Sequence, residues 1–240
     1  MPKPYISTSE EGVQLFRSDF LNRFTRVHWA VPMVIYLPVV AVCLYVSFQE
    51  DDLALSEEAL LFLAGVLTWT FVEYLIHRFL FHYEPRIGWV RRVHYYIHGF
   101  HHDYPNETNK LAVPPATSIP LAAAFYYLFR LAFGPFLVMP FFSGFVFGYM
   151  CYDTIHYATH HVTMRNTIGL YLKRHHLRHH YVDDEYGFGV TSPLWDFVFG
   201  TRPRNRPVSA GTADSTKEQC EVTSNFSSSS AGEHEGAPAC

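Results

Sequence analysis

Residues 116–152 read ATSIPLAAAFYYLFRLAFGPFLVMPFFSGFVFGYMCY, and their only charge is Arg130. Thirty-seven positions with a single charge are too many for one ordinary membrane crossing, which takes about 20 residues for a ~30 Å hydrocarbon core. The pair Gly134-Pro135 stops a helix and allows the chain to turn, so the stretch reads as a tight hairpin of two spans, 116–133 and 135–152. Two further runs lie upstream. Residues 29–48, WAVPMVIYLPVVAVCLYVSF, carry no charge, and residues 59–76 carry only Glu73. Four such runs in 240 residues argue against the buried helices of a soluble core. The expected fold is an all-α integral membrane protein with four transmembrane helices.

Composition agrees, with 49% hydrophobic and 17% aromatic residues against 17% charged. The charges that remain set an orientation. Lys3, Arg17, Arg23 and Arg26 precede the first span, whereas the loop QEDDLALSEE after it has no Lys or Arg. Arg78, Arg86, Arg91, Arg92 and Lys110 follow the second span, and Arg165, Lys173, Arg174, Arg178, Arg202, Arg204 and Arg206 follow the fourth. Both termini should therefore be cytosolic, in an endoplasmic reticulum membrane, or an inner membrane if the source is bacterial. Residues 1–28 are polar and lack the apolar core of a cleavable signal. Residues 29–206 should form one membrane domain. Residues 207–240 turn to Ser, Thr, Ala, Gly and Glu, a composition that reads as a disordered tail. The four cysteines form no spacing pattern, and nothing points to nucleic acid.

The chemistry lies in the histidines, fifteen in all. They cluster after apolar spans as HRFLFH (77–82), HYYIHGFHH (94–102), HYATHH (156–161) and HHLRHH (175–180). The pattern HxxHH occurs twice, at His98/His101/His102 and at His176/His179/His180. On a helix these positions share one face, so each triplet is expected to converge on a common point. His156 and His160 are a further i, i+4 pair. With His77 and His82 they make ten candidate ligands, enough for two metal ions at about five nitrogens each in a helical cytosolic cap. His94, His161 and His175 fall outside the repeated spacing, His28 suits an interface, and His234 belongs to the tail. All-histidine sites call for nearby carboxylates. Glu73 and Asp153, acids at the ends of apolar runs, are the preferred ones, ahead of Asp103, Asp183, Asp184 and Glu185. A zinc protease motif HExxH is absent. The spans are nearly free of the mid-membrane polar groups that an ion pathway needs. Redox-capable metals beside apolar spans point instead to oxidation of an unactivated C–H bond on a lipid chain.

Four stretches carry a more specific signal: EYLIHRFLFH, HYYIHGFHHDYPNETNKLAVPP, GYMCYDTIHYATHH and LKRHHLRHHYVDDEYGFGVTSPLWDFVFGT. Over residues 14–202 the chain resembles the membrane fatty acid hydroxylase superfamily, and within it the fatty acid 2-hydroxylases. The resemblance implies hydroxylation of the carbon beside the carbonyl of a long acyl chain destined for ceramide. It implies the ten histidines as ligands of two iron ions, with zinc able to replace them in isolated protein, and dioxygen as cosubstrate. It implies Tyr149, Tyr152 and Asp153 on the substrate side or just behind the metal ligands, and Lys110 where an arginine is usual. Neither the HPGG haem module nor a GxGxxG fingerprint occurs in these 240 residues. Electrons are therefore expected from a separate donor such as cytochrome b5 with its reductase, docking on Lys173, Arg174 and Arg178 and on Arg91 and Arg92. The histidine boxes alone would also fit another lipid hydroxylase or desaturase, such as a sterol oxidase or sphingoid-base hydroxylase. A membrane metal carrier without enzymatic activity is the remaining alternative.

Overall fold

The structure is a computed structural model that describes residue 14 and residues 18–50, 53–83 and 85–203. The segment expected to be a tail, 207–240, lies outside the described residues. Within them the chain is all helical and contains no strand. The helices are α1 (Asp19–Thr25), α2 (Val31–Glu50), α3 (Leu55–Leu75), α4 (Gly88–His94), α5 (Phe100–Asp103), α6 (Pro115–His161), α7 (Thr167–Tyr181) and α8 (Leu194–Val198). Two π-helical turns, Ile76–Phe81 and Tyr95–Gly99, continue α3 and α4 without a break.

Three helices are long and apolar enough to cross a membrane: Val31–Gln49, Leu55–Phe81 and Pro115–His161. The two runs 116–133 and 135–152 thus fall in a single helical element. Gly134 alone interrupts it, at φ 80° and ψ −179°, a left-handed φ that a side chain would strain. Rings meet across this residue. Phe129 and Phe141 lie 5.0 Å apart, and Phe125 and Phe145 4.9 Å. In an unbroken helix two residues twenty positions apart would be separated by about 30 Å, so the two limbs of α6 fold back on each other.

The returning limb is the centre of the bundle. Val138, Phe141, Phe142, Phe145, Val146, Tyr149 and Met150 are buried with Tyr36 and Val40 of α2 and Trp69 of α3. Outward faces are apolar too: Val34, Leu60, Leu63 and Leu131 are all more than 60% exposed, as helices facing lipid require. Against α3 the returning limb comes into backbone contact. A methyl group at Gly65 would overlap the Phe141 carbonyl, and one at Gly144 the Phe62 carbonyl. Small residues permit such an approach, which gives dispersion contacts that lipid cannot replace. Gly144→Val should therefore cost at least the ~1–3 kcal/mol typical of overpacking and lower the thermal midpoint of the detergent-solubilised protein. Gly88→Ala, where an added Cβ meets nothing within 4 Å, is the control and should leave it unchanged.

Candidate metal centre

Beyond the apolar part of α3 the helix widens into its π turn. Hydrogen bonding to the fifth residue stacks positions five apart, so His77 and His82 come onto one side, with ring centroids 5.1 Å apart. An α-helix would turn them about 140° from each other. The second π turn similarly presents His98 ahead of α5, which carries His101 and His102. The end of α6 supplies His156 and His160, and α7 supplies His176, His179 and His180.

These ten residues gather into two groups of five. His77, His82, His98, His102 and His179 form the first, and His101, His156, His160, His176 and His180 the second. Within each group one nitrogen from every ring lies within 4.8 Å of the others. The groups adjoin, with the His102 and His180 rings 4.4 Å apart. The expectation that each HxxHH triplet converges on one point needs correction. His98 and His102 serve the first group while His101 turns to the second, and His176 and His180 serve the second while His179 turns to the first. The reason is angular. Residues i and i+4 sit about 40° apart around a helix, whereas i+3 lies about 60° to the other side, which lets one turn address two centres.

The spacing of the facing nitrogens tests whether metal ions fit. His98 Nε2 and His102 Nε2 are 2.8 Å apart, and His82 Nε2 and His179 Nε2 3.1 Å. In the second group His101–His156 and His160–His176 are at 2.9 Å and His176–His180 at 3.1 Å, again between Nε2 atoms. Metal–nitrogen bonds of ~2.0–2.1 Å put neighbouring ligands about 2.9 Å apart at right angles and about 3.4 Å apart in a tetrahedron. The edges fit the right-angled arrangement of a five- or six-coordinate ion. Protons alone could not satisfy five lone pairs aimed at one point, and a cation can.

Burial also selects the ligating form. Loss of solvation pushes His98, His101, His176 and His180 well below the ordinary imidazole value of 6.5, and neighbouring imidazoles push them further the same way. All four rings are neutral at physiological pH. Below pH 6.5 the unfolded chain binds protons that these folded rings refuse, so stability falls as pH falls, by up to about 1.4 kcal/mol per pH unit for each ring. The thermal midpoint of metal-free protein should be level above pH 7.5 and drop steeply between pH 6.5 and 5.5. A midpoint independent of pH across that window would contradict the buried neutral state.

A strap from Tyr186 to Thr201 closes over the first group. His77 Nδ1 donates to the Phe188 carbonyl at 2.6 Å and His179 Nδ1 to the Tyr186 carbonyl at 2.8 Å, which leaves both Nε2 atoms as acceptors. Glu73 Oε1 accepts from the Val190 and Thr191 amides at 2.6 and 2.9 Å, and its other oxygen accepts from the Thr191 hydroxyl. Glu73 thus braces the strap, and its recorded partners are not histidines. Asp153, also buried, faces the Tyr149 hydroxyl without a well-formed hydrogen bond. Tyr152 lies between the second group and the bundle, its ring 5.5 Å from His156 and 5.9 Å from Trp69. Tyr149 continues this line toward Trp69 and Tyr36, at 5.2 and 5.3 Å.

The carboxylate that sequence reasoning missed is Asp196. His175, outside both groups, contacts its Oδ2 at 3.0 Å. Burial would raise the Asp196 carboxyl, but hydrogen bonds from His175, the Gly189 amide and the Thr201 hydroxyl outweigh it and hold the group below its ordinary value. Its one sequence signal was an acid set within the apolar run LWDFVF. His94 donates to the Leu80 carbonyl at 3.1 Å, and the His161 ring lies 4.7 Å from Tyr157; neither belongs to a group of five. His28 Nδ1 accepts from the Ala30 amide at the start of α2. Lys110 stands over the Phe100 ring at 4.9 Å, Lys173 donates to the Val162 carbonyl, and Arg91 and Arg92 line an open cleft with Trp89, Tyr95 and Tyr96.

Residues 62–201, more than half the chain, match the model of the fatty acid hydroxylase family. A dihydroceramide fatty acyl 2-hydroxylase of Arabidopsis thaliana, FAH2, is 40% identical over 194 residues, covering 80% of this chain and 81% of the relative. The ceramide very long chain fatty acid hydroxylase SCS7 of Saccharomyces cerevisiae is 38% identical over 76% of this chain, which spans about half (48%) of that longer protein. The human fatty acid 2-hydroxylase is 30% identical over 81% of this chain and 58% of its own length. A solved structure of full-length scs7p, in which only the hydroxylase domain is visible, superposes with a TM-score of 0.74 at 38% identity, covering 80% of this chain and 73% of the other.

Proposed function

The chain belongs to the fatty acid hydroxylase family, and we propose that it hydroxylates the carbon next to the carbonyl of long acyl chains held in ceramide or destined for it. The observation that carries this reading is the pair of five-histidine groups set where apolar helices end, with Tyr152 and Trp69 leading from the second group into the bundle. Relatives named for 2-hydroxylation over most of this chain's length support the same position of attack.

In this reading His77, His82, His98, His102 and His179 hold one ion and His101, His156, His160, His176 and His180 the other. The five- or six-coordinate spacing favours iron over tetrahedral zinc as the active metal. When bound, such ions supply activation of dioxygen and removal of a hydrogen from an unactivated C–H bond. The protein does the rest. Its neutral, buried imidazoles keep competing protons off the ligating nitrogens. The apolar bundle accepts the acyl tail, so that only the first methylene beyond the carbonyl reaches the histidines. Tyr149, Tyr152 and Asp153 lie where the second group meets the bundle, on the substrate side of the histidines or just behind them. Buried walls keep water from the reacting carbon.

The surroundings follow from the same reading. Read with its reversal at Gly134, α6 makes two crossings, so residues 29–206 form a four-span hydroxylase domain. The excess of Lys and Arg after the second and fourth spans puts the histidines and both ends on the cytosolic side, in the endoplasmic reticulum of a eukaryote. Lys173, Arg174 and Arg178, beside the last histidine box, suit an acidic electron donor such as cytochrome b5.

Expression in a host that makes no 2-hydroxylated lipids tests the function. Mass spectrometry of its sphingolipids should reveal acyl chains heavier by one oxygen, with the hydroxyl at carbon 2. Products hydroxylated or desaturated elsewhere on the chain, in place of these, would overturn the assignment.

A further inference from the structure

The two histidine groups differ in what stands behind them. In the first, His77 and His179 donate their outer nitrogens to backbone carbonyls. In the second, the Nδ1 atoms of His156, His160, His176 and His180 are all buried with no acceptor. A neutral ring that offers Nε2 to a metal carries its proton on Nδ1. Four N–H groups of the second set are therefore buried with no protein acceptor. An outer acceptor fixes ring orientation and raises ligand basicity, and losing one typically costs about 10–100-fold in metal affinity.

Both acceptor carbonyls belong to the strap, and the strap is pinned by Asp196, which is fully buried. Its Oδ1 accepts from the Phe188 amide at 3.0 Å and the Thr201 hydroxyl at 2.7 Å. Its Oδ2 accepts from the Gly189 amide at 2.8 Å and His175 Nε2 at 3.0 Å. Phe188 is thus held at both ends of one residue: Asp196 fixes its N–H while its carbonyl receives His77. Further along, Thr201 is tied to the Asp196 carbonyl through its own amide at 2.9 Å, and the Gly187 amide to the Thr201 carbonyl at 2.8 Å. The Asp196 side chain makes no hydrogen bond to a residue of either group; it acts on the first group through the strap and through its negative charge, which also reaches His77.

We propose that the two metal positions are unequal, that the His77 group is the tighter, and that Asp196 is the positioning residue that makes it so. The inference rests on the reading above only in that both groups bind metal, and it is independent of the substrate.

The test counts metal per chain while the iron-loaded, full-length protein is dialysed against increasing EDTA. Wild type should release one ion first and the second at about 10–100-fold higher chelator. His156→Ala should keep the late ion and His77→Ala only the early one. Asp196→Asn presents an amide where Oδ1 or Oδ2 must accept. It should still load two ions, with the late one now leaving early. Should that variant not fold, His175→Ala removes one of the four donors from outside both groups. It should move the late phase part of the way, and His175→Gln, which can donate again, should restore it. Cobalt-substituted protein gives a readout that general destabilisation would not: only the absorption bands of the late ion should shift in the Asp196 and His175 variants. Two ions leaving together from wild type, loss of the late ion in His156→Ala, or a wild-type late phase in Asp196→Asn would each overturn the proposal. A chain that binds no metal would overturn both this and the proposed function, whereas joint release would sink the inequality alone.

Discussion

His176→Ala should abolish hydroxylation and lower the metal content by one ion per chain. The ring is 1% exposed, and its Nε2 lies 2.9 Å from that of His160 and 3.1 Å from that of His180, in the middle of the second group. Alanine leaves a buried gap that no neighbouring nitrogen can fill. The loss should be about 10³-fold or more in turnover, or upwards of ~4 kcal/mol of transition-state stabilisation. The adjacent His175 is the stringent control, because it is as buried as a ligand yet faces Asp196. His175→Ala should retain both ions before any chelator is added and keep measurable activity, as should His94→Ala and His161→Ala. An inactive, one-metal His175→Ala beside an active His176→Ala would show that the helix is read one position out of register.

Electron supply is the second decisive measurement. Dioxygen takes up four electrons in becoming a hydroxyl group and a water molecule, and the C–H bond provides two. The other two must come from outside the substrate, together with two protons. Purified protein given dioxygen and substrate alone should complete less than one turnover per chain. Addition of a cytochrome b5-like protein with its reductase and reduced nicotinamide should restore many. Charge reversal at Arg174 should raise the donor concentration needed, most clearly at low salt, because attraction between opposite charges acts on encounter. Sustained turnover with no added reductant would refute the mixed-function oxidase reading.

Much of this was legible in the sequence, for identifiable reasons. Uncharged runs announce membrane helices because lipid tolerates little else, and Gly134-Pro135 announces a reversal because glycine accepts a left-handed φ and proline interrupts the helix behind it. Eight of the ten histidines of the two groups stand out because their spacings follow helical geometry. Their division between two centres does not, since HxxHH looks the same whether its middle member points with its neighbours or away. The π turn at His77–His82 was equally hidden, as a five-residue interval has no meaning until the helix is known to widen. Glu73 was noticed for being an acid in an apolar run, but its bond to the strap links residues 117 and 118 positions apart, beyond any local pattern. Asp196 was passed over because a single carboxylate in LWDFVF announces neither its four donors nor the carbonyls they align.

The interleaving of the histidine boxes also sets a schedule for biosynthesis. The first group takes members from residues 77 to 179 and the second from 101 to 180. Neither is complete until the last box has been synthesised, and all three long apolar helices precede that box in the chain. At about 5–20 residues per second, His77 waits several seconds for His179. Loading of both proposed metal positions would consequently be a closing event in maturation. A chain cut short before residue 176 would carry four members of the first group and three of the second, so neither five-histidine set could close.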